Sequence, residues 1–264
     1  MHMLHVVFKT TSSSFVFQTL FREVTLFMNS IDMTCTNTAG ILHAAAYRKP
    51  FTVKDPVSAL THFIGMIVSA TGAIPLLYKA AQTHSLLCLT AMFIYALSLI
   101  ALYGASSAYH TFDISPEVNK KLKKIDHMMI SVLIAGSYTP ICLLTLGNTI
   151  GMVMLCVVWA LALVGILINI FWIFCPKWVS SVLYIGMGWT CVIGIPSIYR
   201  AFSPAAFGWL LAGGIMYTIG GVIYALKLSV FNGKHQHFGS HEIFHVFVMF
   251  GSLCHYIVMY SYVL

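Results

Sequence analysis

Residues 240–264 read SHEIFHVFVMFGSLCHYIVMYSYVL, and the rest of the chain can be interpreted from this stretch. It opens with His241 and His245, which lie four residues apart and therefore share one face of a helix. The apolar residues that follow continue to Leu264, far enough for a helix to cross a bilayer. Histidines in a membrane segment are costly unless other groups bind them. The sequence therefore predicts a membrane helix whose two histidines meet partners from elsewhere in the chain.

The composition extends this prediction to the whole chain. Of its 264 residues, 59% are apolar and only 8% are charged, and the mean hydropathy is +0.88. A soluble domain carries about 25% charged residues, so these values indicate an integral membrane protein. The net charge of +7 does not indicate nucleic-acid binding, because no basic stripe interleaved with aromatic residues occurs. In a membrane protein the positions of Lys and Arg report orientation instead.

Seven apolar runs follow one another from Val57 onward, each of about 20 residues, the length that crosses the hydrocarbon core as a helix. Each must be helical, because lipid leaves exposed backbone groups unsatisfied. The predicted fold class is all-α, an integral membrane bundle of seven transmembrane helices. Pro140 predicts a kink in the third run, and Pro196 predicts a break near the end of the fifth. The runs are Val57–Tyr78, Ser85–Tyr109, Asp126–Leu146, Thr149–Trp172, Trp178–Tyr199, Ala205–Leu228 and His241–Leu264.

Small residues mark two further features of these runs. Between the third and fourth runs little more than Gly147 and Asn148 remains, which is typical of a tight turn. Glycines recur in the fifth and sixth runs and predict close packing between helices. They are Gly186, Gly188, Gly213, Gly214, Gly220 and Gly221.

The loops predict an orientation, because Lys and Arg accumulate on the cytoplasmic side of membrane proteins. Counted alternately from the first run, one side carries ten of these residues and the other carries only Lys79 and Arg200. The segment before the first helix is therefore predicted to be cytoplasmic, and the C-terminus is predicted to lie outside. The ten are Arg48, Lys49, Lys54, Lys120, Lys121, Lys123, Lys124, Lys177, Lys227 and Lys234.

Residues 1–47 differ from the rest of the chain. They mix Ser, Thr and His with apolar patches that are too short to span a membrane. We predict that they form a poorly ordered extension and that residues 48–264 form the membrane domain. Met28 and Met33 are alternative start positions, a hypothesis that the intact mass of the natively expressed protein tests.

The topology brings polar residues from distant parts of the chain to one depth. Ser106 and His110 share a helical face at the cytoplasmic end of the second run. Asp126 opens the third run on that side, and His241 and His245 open the seventh. Three neutral imidazoles with an open position for water are typical of a catalytic zinc site. The sequence thus predicts a zinc ion bound by His110, His241 and His245.

Asp126 and Ser106 are the predicted catalytic residues beside this metal. Zinc lowers the pKa of a bound water to about 7, so Asp126 either accepts a proton from that water or orients it. Alternatively, Asp126 accepts a hydrogen bond from the ring nitrogen of a histidine that does not bind the metal. Ser106 can donate to a developing oxyanion or to a substrate carbonyl. A carboxylate at a helix N-terminus also stabilises the helix, and this alternative stays open for Asp126.

Other histidines and a short motif have simpler interpretations. His62, His127 and His255 are predicted to hydrogen-bond between helices. The last run also contains His-Glu-x-x-His, a metalloprotease pattern in which Glu242 would be the general base. No Asp or Glu follows Glu242 to serve as a further ligand. Glu242 is therefore predicted to be a first-turn carboxylate that the helix dipole stabilises.

Taken together, these residues resemble the haemolysin III family, which is related to the progestin and adipoQ receptors and to the alkaline ceramidases. The resemblance covers residues 50–264. It implies a seven-helix fold with zinc held by three histidines, here His110, His241 and His245, and with Asp126 and Ser106 completing the site. The matching stretches are Ser106-x-x-x-His110, Lys124-Ile125-Asp126-His127, His241-x-x-x-His245, residues 59–65 (ALTHFIG) and residues 131–140 (SVLIAGSYTP).

The first functional prediction is a zinc-dependent integral membrane hydrolase that acts on a lipid amide or ester at the cytoplasmic leaflet. The resemblance also implies two alternatives, a pore-forming haemolysin with a structural zinc and a receptor-like sensor. A pore needs a polar lumen across the whole membrane, whereas the outer halves of these helices are almost wholly apolar. The predicted partners are membrane lipid and a lipid substrate or ligand, and the sequence indicates no oligomeric state. By resemblance, the membrane is a bacterial inner membrane.

Overall fold

Residues 52–172, 176–226 and 239–264 are described by a computed structural model of the chain. The chain separates into two units, Met1–Val53 and Lys54–Leu264. Apart from Thr52 and Val53, the described residues belong to the second unit. The predicted extension, residues 1–47, lies outside the described residues, and the division of the chain at residue 47 stays a prediction.

Regular structure in the described residues is helical throughout, which confirms the predicted all-α class. Helices α1 to α8 cover Pro56–Gln82, Leu86–Thr111, Pro116–Pro140, Thr149–Phe171, Lys177–Gly188, Ile195–Ala201, Pro204–Leu226 and Ser240–Val258. π-helical turns extend α3 through Ile141–Leu146 and α8 through Met259–Val263, and a 3₁₀ turn, Trp189–Gly194, joins α5 to α6. With these joins, the described residues contain seven helical segments that are long and apolar enough to cross a membrane, as predicted.

The outer surface of the bundle carries large apolar side chains. Ile74, Leu86 and Phe171 are 71%, 79% and 77% exposed. A surface of this kind favours lipid over water as its surroundings. Together with the seven spans it identifies an integral membrane protein, while the orientation of the termini stays a prediction.

Polar side chains next to the first turns fix where several helices begin. The Ser85 hydroxyl accepts a hydrogen bond from the backbone N–H of Cys88, which starts α2. The Asn148 side chain accepts from the N–H of Gly151 at 2.9 Å and starts α4. Gly147, just before it, has a φ of 54°, a left-handed conformation that suits glycine. The predicted tight turn between α3 and α4 is therefore confirmed.

Helix α3 begins ten residues earlier than the sequence predicts, and this corrects the placement of Asp126. Ser115 caps the helix through the N–H of Val118, Pro116 occupies its first turn, and Glu117 adds a favourable first-turn charge. Asp126 therefore lies about 15 Å along the helix from its start, at about 1.5 Å per residue. The apolar run begins later than the helix, because the first turns of the helix are rich in exposed lysine. The helix-capping interpretation of Asp126 is wrong.

Two prolines lie where α-helical geometry changes. Following Pro140, α3 passes into the π-helical turn, since proline lacks the N–H that would bond one turn back. The fifth span breaks earlier than predicted, in the 3₁₀ turn Trp189–Gly194. Pro196 lies in the first turn of α6, where its missing N–H costs nothing.

The helices pack so that the last one closes on the first. α2 packs against α1 and α3, while α8 packs against α7 and α1. Two tyrosines hold this arrangement together deep in the bundle, because Tyr103 on α2 donates to the Ser252 hydroxyl at 2.7 Å and Tyr217 on α7 lies 2.8 Å from the same oxygen. Residues of α2, α7 and α8 that lie far apart in sequence are thereby brought side by side.

The six glycines singled out in the fifth and sixth runs fall into three groups. A methyl group at Gly213 would overlap the His255 ring, and one at Gly220 would lie 2.9 Å from Cβ of Phe247, so close packing against α8 is confirmed there. At Gly221 the nearest atom, from Ile185, lies 3.4 Å away, an ordinary contact. The prediction is wrong for the others, which have no neighbouring atom within 4 Å of that methyl position in the structure as described. They are Gly186, Gly188 and Gly214.

We expect Gly213→Ala to destabilise the bundle and the adjacent Gly214→Ala to leave it nearly unchanged. The added methyl at Gly213 also lies 3.1 Å from the backbone oxygen of Gly251, which cannot move aside as a side chain can. Overpacking of this kind costs about 1–3 kcal/mol. Thermal unfolding in detergent measures the difference, and equal midpoints for the two variants would contradict the close approach of α7 and α8.

Candidate metal centre

Three histidines converge where α2 ends and α1 and α8 begin, a region that we name the histidine end. His110 lies in the last turn of α2, and His241 and His245 lie in the first turns of α8. One ring nitrogen from each lies within 4.8 Å of the other two, so the three could hold a metal ion. The helical spacing of His241 and His245 and the antiparallel entry of α2 are sufficient to bring them together.

His110 is held from both sides of its ring. Its Nδ1 lies 2.9 Å from a carboxylate oxygen of Asp55, and its Nε2 lies 3.1 Å from Nε2 of His241. A carboxylate accepts hydrogen bonds, so the ring proton of His110 belongs on Nδ1. The lone pair of Nε2 then faces Nε2 of His241. His110 thus presents the correct atom and tautomer for a metal.

His245 is oriented in a similar way by α1. Its side chain is buried, and its Nδ1 lies 3.4 Å from the Thr61 hydroxyl oxygen. That hydroxyl donates to the backbone oxygens of Val57 and Ser58, at 2.9 and 3.0 Å, which leaves its oxygen able to accept. The proton of His245 is thereby favoured on Nδ1, and Nε2 remains for a metal.

Asp55 is charged in this arrangement. The hydrogen bond from the His110 ring holds the pKa of the Asp55 carboxyl below its ordinary value, while partial burial opposes that shift. The carboxyl therefore stays ionised at neutral pH and accepts from Nδ1 of His110.

Asp126 and Ser106 reach the same region from α3 and α2. Both side chains are buried, Asp126 at 7% and Ser106 at 1% exposure. A carboxylate oxygen of Asp126 lies 3.4 Å from Nδ1 of His127 on its own helix. Burying a carboxylate is expensive unless positive or polar groups face it. The structure thus places both predicted catalytic residues at the histidine end.

A cavity of about 430 Å³ starts at the histidine end and continues into the bundle. Ser106, Asp126, His241 and His245 line its start. It reaches His255, which lies about 15 Å further along α8, at about 1.5 Å per residue. Apolar side chains form much of its wall, among them Leu102, Ile130, Leu133, Ile198, Phe207 and Leu210. A long apolar chamber beside polar groups suits a ligand with an alkyl chain and a polar head.

His62 departs from its predicted role. Neither of its ring nitrogens has a hydrogen-bond partner among the described residues, so the predicted hydrogen bond between helices is wrong. Its ring instead stacks on His245, with centroids 3.6 Å apart and planes at 10°, and meets Tyr103 edge-on. His255 does fit the prediction, since its Nε2 lies 3.4 Å from the backbone oxygen of Leu210 on α7.

Glu242 has the structural role that the sequence predicts. It lies in the first turn of α8, where its carboxylate accepts from the N–H of Gly239 at 2.7 Å and from the Ser58 hydroxyl at 2.8 Å. These bonds cap the helix and tie it to α1. They leave Glu242 facing α1, as a cap and not as the base of a metalloprotease.

Asp55 contacts the histidine cluster but is not among the residues that the sequence predicts for this site. It precedes the first helix outside every apolar run, and no motif includes it. The available signal was topological, because the start of the first helix and the end of the second lie on the same side of the membrane. His62 carries the same signal, although the sequence predicts for it only a hydrogen bond between helices.

Comparison with known proteins identifies the family of this chain. The family model described as "Haemolysin-III related" matches residues 52–256. "Hemolysin-3" of Bacillus cereus is 34% identical over 214 residues, which cover 81% of this chain and 94% of that protein. "Hemolysin-3 homolog" of Bacillus subtilis (strain 168) is 36% identical over 203 residues, or 76% and 91% of the two chains.

A more distant relative belongs to a differently named group. "Adiponectin receptor protein" of Drosophila melanogaster is 29% identical over 235 residues, which cover 80% of this chain and 51% of the receptor. The family model spans most of the membrane domain and includes Asp55, Ser106, His110, Asp126 and His245. The chain is a member of the haemolysin III family.

Proposed function

We propose that this protein is a zinc-dependent integral membrane hydrolase acting on a lipid amide or ester at the cytoplasmic leaflet. The observation that carries the proposal is the convergence of three imidazole nitrogens within 4.8 Å at the start of a largely apolar cavity. A metal centre, a buried carboxylate and a chamber for an alkyl chain then lie together. This combination suits hydrolysis of a lipid near its polar head.

The donor set fits zinc. Neutral imidazoles are preferred zinc ligands, and three of them leave a fourth position for water or substrate. Asp55 and Thr61 hold His110 and His245 in tautomers that offer Nε2, an arrangement common around zinc-binding histidines. A zinc ion bound there supplies Lewis acidity and lowers the pKa of its water to about 7.

Asp126 is the proposed general base. Its carboxylate is buried at the start of the cavity, where the reacting water and the substrate carbonyl would meet. A carboxylate in that position accepts the proton of the attacking water and returns it to the leaving amine or alcohol. One of its oxygens lies 3.4 Å from Nδ1 of His127, and the other would take part in this exchange.

Ser106 is the proposed donor to the substrate carbonyl. Its hydroxyl lies on the same cavity wall as Asp126 and one helical turn before His110. A buried hydroxyl can hydrogen-bond the oxygen on which negative charge develops. The apolar wall beyond it would hold the alkyl chain and so fix the position of the scissile bond.

The relatives named Hemolysin-3 favour a second candidate, a pore-forming haemolysin. In that case the histidines would serve only the fold. The largely apolar wall of the cavity argues against a water-filled channel through one chain. Leakage of dye from liposomes by purified protein, undiminished by His245→Ala, would support the pore over the hydrolase.

The test of the proposed function combines metal analysis with hydrolysis. The protein is purified in detergent without chelators, its zinc content is measured, and it is incubated with ceramides and other lipid amides and esters. We expect about one zinc per chain and release of free fatty acid that stops on chelation and resumes on adding zinc. Absence of zinc from the wild type would refute the hydrolase. Saturable lipid binding without turnover would instead indicate a receptor, the role named for the Drosophila relative.

The length of the cavity should determine which alkyl chains are accepted. Gly214 lines the cavity, and nothing lies within 4 Å of its methyl position, so Gly214→Phe projects a ring into open space. We expect kcat/KM for long-chain substrates to fall at least about tenfold, with short-chain substrates little affected. Gly208→Phe is the control, because Gly208 lies on the same helix and is exposed on its outer surface. Equal losses for both chain lengths would contradict this placement of the alkyl chain.

A further inference from the structure

We propose that Asp55 is a positioning residue of the metal centre, acting through His110. The inference rests on the metal site of the proposed function and adds a residue outside the predicted set. It starts from one contact, in which a carboxylate oxygen of Asp55 lies 2.9 Å from Nδ1 of His110. The other nitrogen of that ring, Nε2, lies 3.1 Å from Nε2 of His241. The three groups therefore lie in sequence, from carboxylate to imidazole to the candidate metal position.

The contact sets both the tautomer and the basicity of His110. A histidine whose Nδ1–H donates to a carboxylate has its lone pair on Nε2, the atom directed at His241. The negative charge also makes that lone pair a stronger donor to a cation. Without Asp55, the ring of His110 could turn over or carry its proton on the wrong nitrogen.

Asp55 itself is held in place by the backbone. Its N–H donates to the backbone oxygen of His110 at 2.9 Å, and the N–H of Lys54 donates to that of Thr111 at 3.3 Å. Its own carbonyl accepts from the N–H of Ala59 at 2.9 Å, in the first turn of α1. The segment before α1 is thus bonded to the last turn of α2. A carboxylate on so rigid a segment can direct a ring with little loss of conformational entropy.

A purely structural role is the competing explanation, because these same bonds join α1 to α2. The two explanations differ in what they predict when His110 is absent. If Asp55 acts through the His110 ring, changing Asp55 has no effect on metal binding once that ring is removed. If Asp55 only supports the helices, its change weakens the remaining site to the same extent in both backgrounds.

The experiment is a double-mutant cycle on zinc affinity in the full-length protein. Zinc dissociation constants are measured by competition with a chelating dye for the wild type, Asp55→Asn, His110→Ala and the double variant. Asp55→Asn keeps the backbone bonds and the shape of the side chain but removes its charge. Asp113→Asn is the matched control, since Asp113 lies just beyond α2 and contacts Asn119 at an exposed position. Thermal unfolding of the metal-free proteins shows that all variants fold.

We expect Asp55→Asn to raise the zinc dissociation constant about 10–100-fold and Asp113→Asn to leave it unchanged. In the His110→Ala background, Asp55→Asn should change nothing further. Unaltered affinity in Asp55→Asn, or equal weakening in both backgrounds, overturns the assignment while the proposed function stands. A wild-type protein that binds no zinc overturns both. Should Asp55→Asn unfold, Asp55→Glu, which keeps the charge on a longer side chain, is expected to bind zinc better than Asp55→Ala.

Discussion

Replacing His241 and His245 together with alanine should remove zinc from the protein. The pair supplies two of the three imidazoles in the cluster, and a single histidine cannot hold zinc against competing water. We expect the zinc content measured by mass spectrometry to fall from about one per chain to background. Lipid hydrolysis should fall with it.

The matched control for this double variant is His255→Ala. His255 lies on the same helix and lines the same cavity, but it is two to three turns away from the cluster. The His255→Ala protein should keep its zinc even if its stability falls through loss of the contact with Leu210. A double variant that still carries one zinc per chain would place the metal elsewhere and refute the site.

Changing Asp126 should leave zinc bound but abolish most of the lipid hydrolysis. Asp126→Asn preserves the volume of the side chain but cannot accept a proton at neutral pH. Loss of a general base costs about 10²–10⁴-fold in turnover, so kcat should fall by that factor. Zinc content should stay near the wild-type value, because the three histidines do not need Asp126 to bind.

Glu117→Gln provides the control for Asp126→Asn. It removes a carboxylate from the same helix at an exposed first-turn position, and it should leave turnover unchanged. Loss of zinc from Asp126→Asn would instead make Asp126 a ligand. Full activity with full zinc would show that another group takes the proton. The first to examine would be His62, whose ring nitrogens have no hydrogen-bond partner among the described residues.

The seven spans were predictable because apolar length alone determines which segments can cross a bilayer. The start of α3 was not, since its first turns are exposed and rich in lysine and so resemble a loop in sequence. The meeting of His110 with His241 and His245 followed from topology, which put their helix ends on one side. Which side chains contact each other at those helix ends depends on the directions in which they point, and residue spacing in the sequence does not determine these directions.

Asp55 and His62 show what such rules leave out. A single carboxylate before a helix belongs to no metal-site motif, and only its 2.9 Å contact with His110 distinguishes Asp55. His62 is one intramembrane histidine among several, and its stack on His245 requires the packed positions of α1 and α8. The open space beside Gly214 could not be predicted either, because a glycine in a membrane helix does not by itself show whether a neighbouring helix lies against it.

The bonds between α1 and α8 also bear on how the protein is made. Ser58 meets Glu242, and Thr61 meets His245, across 184 residues of chain in each case. The N-terminal helix is synthesised first. Ser58 and Thr61 therefore have no bond to α8 until that last helix inserts into the membrane. A nascent chain that stops before α8 contains Asp55 and His110 but lacks both His241 and His245. If the three histidines bind zinc as proposed, zinc would bind only after α8 has inserted, and incompletely inserted molecules would lack both the metal and the hydrolase activity.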